Sequence, residues 1–489
     1  MTASATPPIA LAYLSGSLRA NGFDLQTIDA IGESIDRMAP IEGTVGFAQG
    51  LPIDRIVERI DADARIIGFS SMFSSGWTND KKVIQRIRER FPEALIVVGG
   101  EHITACSEYV LGDCPAIDLC VRGEGEETLL DIVKTASAGK NPRTLNGVVF
   151  RDNGSVRSNP PRARIRDIDN IPEPYWEDLP LETYMSRGYG HGVNLGRSMP
   201  LLATRGCPFQ CTFCSSPFMW TTRWEARSPQ KVLDEMIKYI KKYDAENFDL
   251  YDLTAIVKKK WIIEFCDLII ESGLKFTWQL PSGTRSEAID AEVVDRLWKS
   301  GCRNMNYAPE SGSETVLKRI KKKVSLPHLE ESMRAAIRRG LNVKINMIFA
   351  FPEDTPREIW ENFKFGIKCA WLGVHDSSFS LFVPYPGSEL YFQLIDEKKL
   401  APMSDDYFNS LIPFSDLEHA ISFNPHISDR QLIWVRYIYF MLFYGTMFLR
   451  RPQRLLRMIM NMLSGRVESR GEEVLQNLLL RRRQVNQDS

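Results

Sequence analysis

Apolar and polar positions follow two different periods along the first third of the chain. Residues 9–22, 52–62 and 79–92 repeat apolar positions at helical spacing. Between them lie short runs of consecutive apolar residues, "ARIIGFSSM" and "ALIVVGGEH", which are typical of strands buried on both faces. We also expect a strand at "FDLQTIDA", residues 23–30. Helices that alternate with buried strands predict an α/β fold with a doubly wound, Rossmann-like parallel sheet.

Small and polar residues follow three of these predicted strands. They are Ser70 and Ser71 after the first, Gly99, Gly100 and Glu101 after the second, and Gly123, Glu124 and Gly125 after the third. Parallel sheets of this kind bind ligands beyond the carboxyl ends of their strands. We therefore expect these residues to form a ligand-binding edge.

The later pattern predicts further regions. Residues 146–161 read as a hairpin around Asn153-Gly154, and a proline-rich connector follows. Six strand-like cores then alternate with helices, at 199–206, 248–254, 275–281, 302–308, 342–350 and 377–384, which predicts a partial barrel of six βα units. We expect four regions: a Rossmann-like domain at 1–145, a hairpin and linker at 146–195, a partial TIM-type barrel at 196–400, and a helical region at 401–489.

Composition narrows the class of protein. A hydrophobic content of 44% and a charged content of 25% are those of a globular, soluble protein. The net charge of −1 gives no general attraction to nucleic acid. The start of the chain lacks the basic and apolar segments of a signal peptide, and the nine cysteines are too scattered for a disulfide framework, so we expect a cytoplasmic protein.

Three cysteines stand close together in "TRGCPFQCTFCSS", at positions 207, 211 and 214. A structural zinc site needs a fourth ligand, and none is nearby. A redox CxxC pair leaves Cys207 unexplained. Three thiolates suit a 4Fe–4S cluster that keeps one iron open for another ligand. Zinc and coincidental burial remain as alternatives.

The CxxxCxxC spacing, with Phe213 before the last cysteine and the first barrel strand before the motif, resembles the radical S-adenosylmethionine enzymes. That resemblance implies that Cys207, Cys211 and Cys214 bind the cluster. It also implies that S-adenosylmethionine chelates the open iron and is cleaved to a 5′-deoxyadenosyl radical. Further cosubstrate-binding residues follow from motif matches at the strand ends: Phe213, Asp252, Arg285, Glu310 and Ser311. A structural ion pair or a surface charge is the alternative role for Arg285, Asp252 and Glu310.

The first domain is similar to the cobalamin-binding subclass of these enzymes. "IIGFSS", "VVGGEH" and "VRGEGEET" match the loops that face cobalamin in that subclass, where small residues let the corrin approach the backbone. The Asp-x-His-x-x-Gly motif that supplies a cobalt ligand elsewhere is absent. We therefore expect cobalamin without histidine coordination, and a loop or cap hydrogen bond for His102.

The resemblance implies methylation of an unactivated carbon of a small or apolar substrate. The alternative is a radical cyclisation or rearrangement like that of tetrapyrrole cyclases. An iron–sulfur redox sensor is a hypothesis from another class. Both enzyme hypotheses also require an electron donor such as flavodoxin or ferredoxin, and we expect no nucleic-acid partner.

The last region contains an intensely apolar stretch, residues 431–449, interrupted by Arg436 and followed by arginines. A charge inside a bilayer is costly, which argues against a simple membrane span. Two interpretations remain: a helix that caps the barrel, and peripheral contact of residues 431–463 with a membrane surface.

Overall fold

The computed structural model describes residues 5–464. These residues divide into two compact units. Unit 1 contains the described residues up to Arg187, together with Arg205–Ala226 and Val383–Pro413. Unit 2 contains Gly188–Thr204, Arg227–Phe382 and the described residues from Phe414 onward. The domain boundaries drawn from the sequence stay a prediction, and residues 465–489 of the expected C-terminal region lie outside the described part.

The described residues form fifteen strands, which are β1 Met38–Pro40, β2 Phe47–Gln49, β3 Ile66–Ser70, β4 Leu95–Gly99, β5 Leu119–Val121, β6 Val148–Asp152, β7 Ser155–Ser158, β8 Ser198–Leu201, β9 Thr204–Arg205, β10 Glu225–Ala226, β11 Asn247–Leu250, β12 Thr277–Thr284, β13 Cys302–Glu310, β14 Asn342–Phe349 and β15 Asp376–Leu381.

They also form seventeen α-helices, which are α1 Ile9–Ala20, α2 Ile53–Arg59, α3 Trp77–Arg90, α4 Glu101–Asp113, α5 Gly125–Ser137, α6 Leu181–Arg187, α7 Ser216–Trp220, α8 Pro229–Tyr243, α9 Lys259–Ser272, α10 Ala291–Lys299, α11 Glu314–Arg319, α12 Leu326–Arg339, α13 Pro356–Leu372, α14 Glu389–Asp396, α15 Asp405–Ser410, α16 Asp429–Arg450 and α17 Pro452–Ser464.

Unit 1 is built on a five-stranded sheet in the order β3-β4-β5-β6-β7. Strands β3, β4 and β5 are parallel, as the consecutive apolar runs predict. The hairpin β6–β7 adds two antiparallel strands to the edge of the same sheet. Its turn residues Asn153 and Gly154 both have positive φ, which matches the right-handed twist of hairpin strands. Apolar residues of β4, β5, β6 and α5 form a buried core beside this sheet.

The strand predicted at residues 23–30 is wrong, because that segment forms no regular element and ends in a turn at residue 30. Local side chains bind its backbone instead. Arg19 donates from Nη2 to the carbonyl of Leu25 at 2.8 Å, and Asp24 accepts from the Leu25 N–H at 3.0 Å. Backbone groups that are satisfied in this way have no need of a neighbouring strand.

Unit 2 contains a sheet of six parallel strands in the order β8-β11-β12-β13-β14-β15, which is their order along the chain. This confirms the predicted partial barrel of six strands. Local signals set the helices between them. Thr355 and Glu358 form a capping box at the start of α13, and Gly373 ends that helix with a φ of 116°.

Helix α16 packs against α13 in unit 2. A Cβ atom on Gly366 of α13 would lie 2.5 Å from Cε2 of Tyr439, so the glycine lets the two helices approach closely. Arg436 is fully buried, and its guanidinium carbon lies 5.8 Å from the centre of the Phe379 ring. One face of the apolar helix is therefore fixed to the protein.

Candidate functional site

The cysteine loop, residues 206–216, carries Cys207, Cys211 and Cys214 in unit 1. None of the three forms a disulfide and all are partly exposed, whereas the other six cysteines are buried. Buried thiols behave as small apolar side chains, but a cluster ligand must reach its iron. The exposure pattern therefore separates the three predicted ligands from the six structural cysteines.

Backbone geometry shapes this loop. Gly206 has a φ of 81°, and a Cβ atom there would lie 2.2 Å from the carbonyl oxygen of Arg223. The Cys214 N–H donates to the Cys211 carbonyl at 3.1 Å, which closes a tight turn. The Ser216 N–H donates to Sγ of Cys214 at 3.4 Å. Such a bond stabilises a thiolate, the form that binds iron.

The electrostatics of the three cysteine side chains favour a positively charged group bound to their sulfur atoms. Burial raises the pKa of Cys214 to about 12, and nearby Cys211, Glu101 and Cys207 add to the rise, against the hydrogen bond from Ser216. Three thiolates this close repel one another unless iron neutralises them. Among the described residues, no three His, Cys, Asp or Glu side chains gather as the ligands of a single metal ion do. A cubane presents separate irons to three thiolates, so the donor set fits it.

A buried ion-pair network holds the start of the cysteine loop. Arg205 donates from Nη2 to Glu126 at 2.5 Å, and its Nη1 lies 3.4 Å from Glu124. The side chains of Arg205, Glu124 and Glu126 are at most 10% exposed. Glu124 also accepts from the Ile165 N–H at 2.8 Å. The acidic residues that follow β5 therefore position the residue two places before Cys207.

A second contact holds the end of the loop. The Ser215 hydroxyl, next to Cys214, donates to the Glu101 carboxylate. Burial raises the pKa of Glu101, and the bond from Ser215 opposes that rise. Glu101 opens α4 directly after Gly99 and Gly100. Both ends of the cysteine loop are thus bound to residues that follow the glycine loops of β4 and β5.

The predicted cobalamin loops lie side by side, since β3, β4 and β5 are neighbours. Gly100 has a φ of 115°, and a Cβ atom there would lie 2.2 Å from the carbonyl oxygen of Ser71. Thr104 accepts from the Gly123 N–H at 3.0 Å and so joins the loops after β4 and β5. The Ser71 hydroxyl donates to Asp80 at 2.6 Å, and burial raises the pKa of Asp80 to about 7.

This edge of the sheet fits a flat apolar group. Glycines at positions 99, 100, 123 and 125 keep side chains away from these four positions of the edge. Met72 and Phe73, which follow Ser71, are both exposed, Phe73 to 71%. The Glu124 carboxylate, predicted to bind cobalamin, instead bonds Arg205 and Ile165. Ser70 stays at the end of β3 beside these loops.

His102 does not face this edge. Its ring is buried, with Nδ1 2.9 Å from the Ser74 hydroxyl, between the rings of Trp77 and Phe408. Burial lowers its pKa to about 4, so the ring is neutral at ordinary pH. The expected hydrogen-bonding role of His102 is confirmed.

The remaining predicted residues, except Phe213, lie in unit 2 at strand ends. Glu310 has a positive φ and pairs with Lys322 at 3.0 Å. Ser311 donates to Asn362 at 2.7 Å. Arg285 bonds Glu287 at 2.6 Å and the Lys323 carbonyl, which is the alternative ion-pair role.

Asp252 accepts from the Thr204 hydroxyl at 2.5 Å, and burial raises its pKa to about 6. Phe213 lies half-buried in the cysteine loop of unit 1. The cosubstrate roles of these five residues stay predictions.

Two segments of the chain match known domain families. Residues 2–133 match the family model of the B12 binding domain, and residues 201–366 match the Radical SAM superfamily. The chain carries both domains of the cobalamin-binding radical S-adenosylmethionine enzymes. An uncharacterised methyltransferase of Pyrococcus horikoshii is 29% identical over 85% of this chain and 84% of its own length.

Two further proteins are similar over most of the chain. The anaerobic magnesium-protoporphyrin IX monomethyl ester cyclase of Cereibacter sphaeroides is 27% identical over 81% of this chain and 61% of its own length. The radical S-adenosylmethionine methyltransferase TsrM of Kitasatospora setae, solved with cobalamin and a [4Fe-4S] cluster, has a TM-score of 0.65 and 17% identity. It matches 82% of this chain and 77% of its own. Similarity at that level shows a shared fold.

The ion pair beneath the cysteine loop yields a direct prediction. Glu126→Gln leaves Arg205 buried without its closest carboxylate, which costs about 3–5 kcal/mol. We expect a lower urea midpoint of unfolding and less iron bound per chain after anaerobic reconstitution.

Glu127→Gln is the matched control, because Glu127 is 51% exposed and pairs with Arg162 at the surface. Losing that pair costs about 1 kcal/mol or less. Equal iron content in the two variants would contradict a positioning role for the Arg205–Glu126 pair.

Proposed function

We propose that the protein uses a 4Fe–4S cluster, S-adenosylmethionine and cobalamin to methylate an unactivated carbon of a small molecule. The observation that carries this is the cysteine loop, whose three accessible thiols are held at both ends by residues beyond the glycine loops of the B12 binding domain. The methyltransferase named among its relatives supports the reaction class.

When bound, the reduced cluster and S-adenosylmethionine supply a 5′-deoxyadenosyl radical, and methylcobalamin supplies the methyl group. The residues of this chain bind and position these groups. Cys207, Cys211 and Cys214 hold the cluster, and the Ser216 N–H stabilises one thiolate. Gly99 and Gly100 leave room for the corrin. Asp252, Arg285, Glu310 and Ser311 are our candidates for contacts with the cosubstrate. A one-electron donor such as flavodoxin or ferredoxin completes the proposal.

A radical cyclase is the second candidate, favoured by the similarity to the Cereibacter sphaeroides cyclase. It shares the cofactors and differs in the product. Methylation adds one CH₂ unit to the mass of the substrate, whereas oxidative cyclisation does not. Product mass therefore separates these two candidates.

The first prediction from this function concerns cleavage of S-adenosylmethionine. We expect the reconstituted, dithionite-reduced protein to form 5′-deoxyadenosine and to retain cobalamin after desalting. Cys211→Ala removes one cluster ligand and should reduce deoxyadenosine to background. Cys266→Ala, which removes a buried thiol of α9, should preserve it.

Chromatography of the quenched reaction measures deoxyadenosine, and absorbance of the desalted protein measures cobalamin. Deoxyadenosine without retained cobalamin would overturn the methyltransferase proposal. A cluster that never cleaves S-adenosylmethionine would instead support an iron–sulfur sensor.

We further propose that the protein is cytoplasmic and contacts a membrane surface through α16 and α17. Helix α16 is long and apolar enough to cross a membrane, yet only 28% of its most apolar stretch of 18 residues is buried in the protein. Trp434, Met441 and Leu449 lie along one face and are 66%, 65% and 86% exposed. Leu456 and Met460 of α17 are also largely exposed. Side chains of residues 462–463, included in the sequence prediction, lie outside the described part.

Basic residues accompany this apolar face. Arg450 and Arg457 are exposed, Arg451 binds the carbonyl of Leu372 at the end of α13, and Arg454 binds the Val374 carbonyl two residues later. An apolar face with arginines beside it suits the surface of an anionic bilayer. Because Arg436 is buried in the protein, the helix is better placed on the surface than across the bilayer.

Vesicle flotation tests this contact. We expect the protein to float with vesicles of phosphatidylglycerol and less with phosphatidylcholine alone. The double variant Trp434→Ser, Met441→Ser should stay unbound, because it removes the two large exposed side chains. Leu274→Ser, at an exposed apolar position elsewhere in unit 2, is the control. Protein that remains unbound with both vesicle types would overturn this proposal.

A further inference from the structure

The six-stranded sheet of unit 2 has one apolar and one polar face. In β14, Val343, Ile345, Met347 and Phe349 are buried, and the alternate residues are half-exposed: Asn342, Lys344, Asn346 and Ile348. In β15, Ser378 and Ser380 alternate with buried Phe379 and Leu381 in the same way. Side chains two residues apart share a face of a strand. We call the face that carries Lys344 the inner face.

Strand register places polar side chains in rows across the inner face. One row runs Asp249, Gln279, Asn304 and Asn342. The next contains Asn306, Lys344 and Asp376, and a third contains Asn346 and Ser378. A closed apolar core would not contain such rows, because each buried polar group needs a hydrogen-bond partner.

The first row is already occupied by the chain itself. The Gly192 N–H donates to Asp249 at 3.1 Å, and the Val193 N–H donates to Gln279 at 3.0 Å. A Cβ atom on Gly192 would lie 2.2 Å from the Gln279 side-chain carbon, so only glycine fits there. Residues 190–193 therefore cover the first row of polar side chains.

His191 belongs to the same segment and lies near the second row. In the third row, the Ser378 hydroxyl donates to the Asn346 amide oxygen at 2.6 Å. Its Nε2 is 3.3 Å from the Ser282 hydroxyl. The ring is exposed to solvent, yet surrounding protein atoms, and then Lys344, lower its pKa. A ring that is both accessible and closely surrounded lies in a solvent-filled hollow. Asn306, the register neighbour of Lys344, donates to the carbonyl of Pro281, the residue before Ser282, so the second row lies at the same hollow.

Two groups at this hollow lack a strong partner among the described residues. The Lys344 ammonium lies 3.9 Å from Asp376, which already accepts from Tyr444 at 2.5 Å and from the Ser377 N–H at 2.9 Å. Asn306 is buried and donates to the Pro281 carbonyl, but its amide oxygen has no hydrogen-bond partner. A cation and an unpaired amide side by side indicate a polar ligand with an acidic group.

We propose that the inner face binds the substrate through a carboxylate or phosphoryl group held by Lys344, with Asn306 and Asn346 contacting its polar atoms. The assignment rests on the proposed function, because it names the substrate class of that reaction. Of the small or apolar substrates expected from the sequence, it favours a small polar one, since an apolar molecule would leave Lys344 and Asn306 desolvated without partners.

Lysine labelling tests this site in the intact protein, with cluster and cobalamin present and no reductant. An acylating reagent is applied with inorganic phosphate, acetate or chloride, and labelled lysines are quantified by mass spectrometry. We expect phosphate or acetate to slow acylation of Lys344 several-fold relative to chloride. The same reaction at Lys364, exposed on α13, should not change and serves as the internal reference.

Two outcomes would overturn the proposal. One is an equal acylation rate of Lys344 in all three salts. The other is protection by S-adenosylmethionine alone that abolishes the phosphate effect, which would assign the hollow to the cosubstrate. Comparison of phosphate with acetate tells a phosphoryl site from a carboxylate site.

Substitution provides an independent measurement. A bound anion stabilises the folded protein, so phosphate should raise the unfolding midpoint of the wild type and of Lys364→Met. Lys344→Met should lose that shift, and Lys344→Arg should restore it. If Lys344→Met does not fold, labelling of the wild type still decides. Neither measurement uses cleavage of S-adenosylmethionine, so failure here and failure of the proposed function are distinguishable.

Discussion

The buried pairing of Arg205 with Glu124 and Glu126 is the constraint on which the candidate site depends. Burying a charged side chain is costly, and a buried ion pair is tolerated in the folded protein only while each charge keeps its partner. Their partnership ties the strand that enters the cysteine loop to the loop after β5. Together with the bond between Ser215 and Glu101, it fixes the three thiols relative to the glycine loops. The predicted cluster ligands and the predicted cobalamin loops are therefore parts of one folded unit.

The two units present different kinds of surface to ligands. Glycines and small residues keep the sheet edge of unit 1 open for a flat cofactor. Polar side chains line the inner face of unit 2, where the Asn306 amide oxygen has no partner and the Lys344 ammonium lies 3.9 Å from its nearest carboxylate. Buried polar groups without close partners are typical of ligand-binding surfaces.

Much of this architecture could be predicted because it rests on local patterns. The apolar runs of β3 and β4 and the spacing of the three cysteines are readable within a few residues. The partners of Arg205 are not, since Glu126 lies 79 positions away in sequence. A strand is predicted at residues 342–350, but nothing local shows what its half-exposed face, with Lys344, meets. The segment "FDLQTIDA" carried a strand pattern, but neighbouring side chains satisfied its backbone.

The central claim is that the cysteine loop holds a cluster with one iron open to S-adenosylmethionine. Mössbauer spectroscopy of protein reconstituted with iron-57 tests it most directly, before and after the cosubstrate is added. We predict a 4Fe–4S spectrum in which a single iron site changes when S-adenosylmethionine binds. A spectrum that shows no cluster, or a cluster whose iron sites are all unaffected by S-adenosylmethionine, would contradict the account.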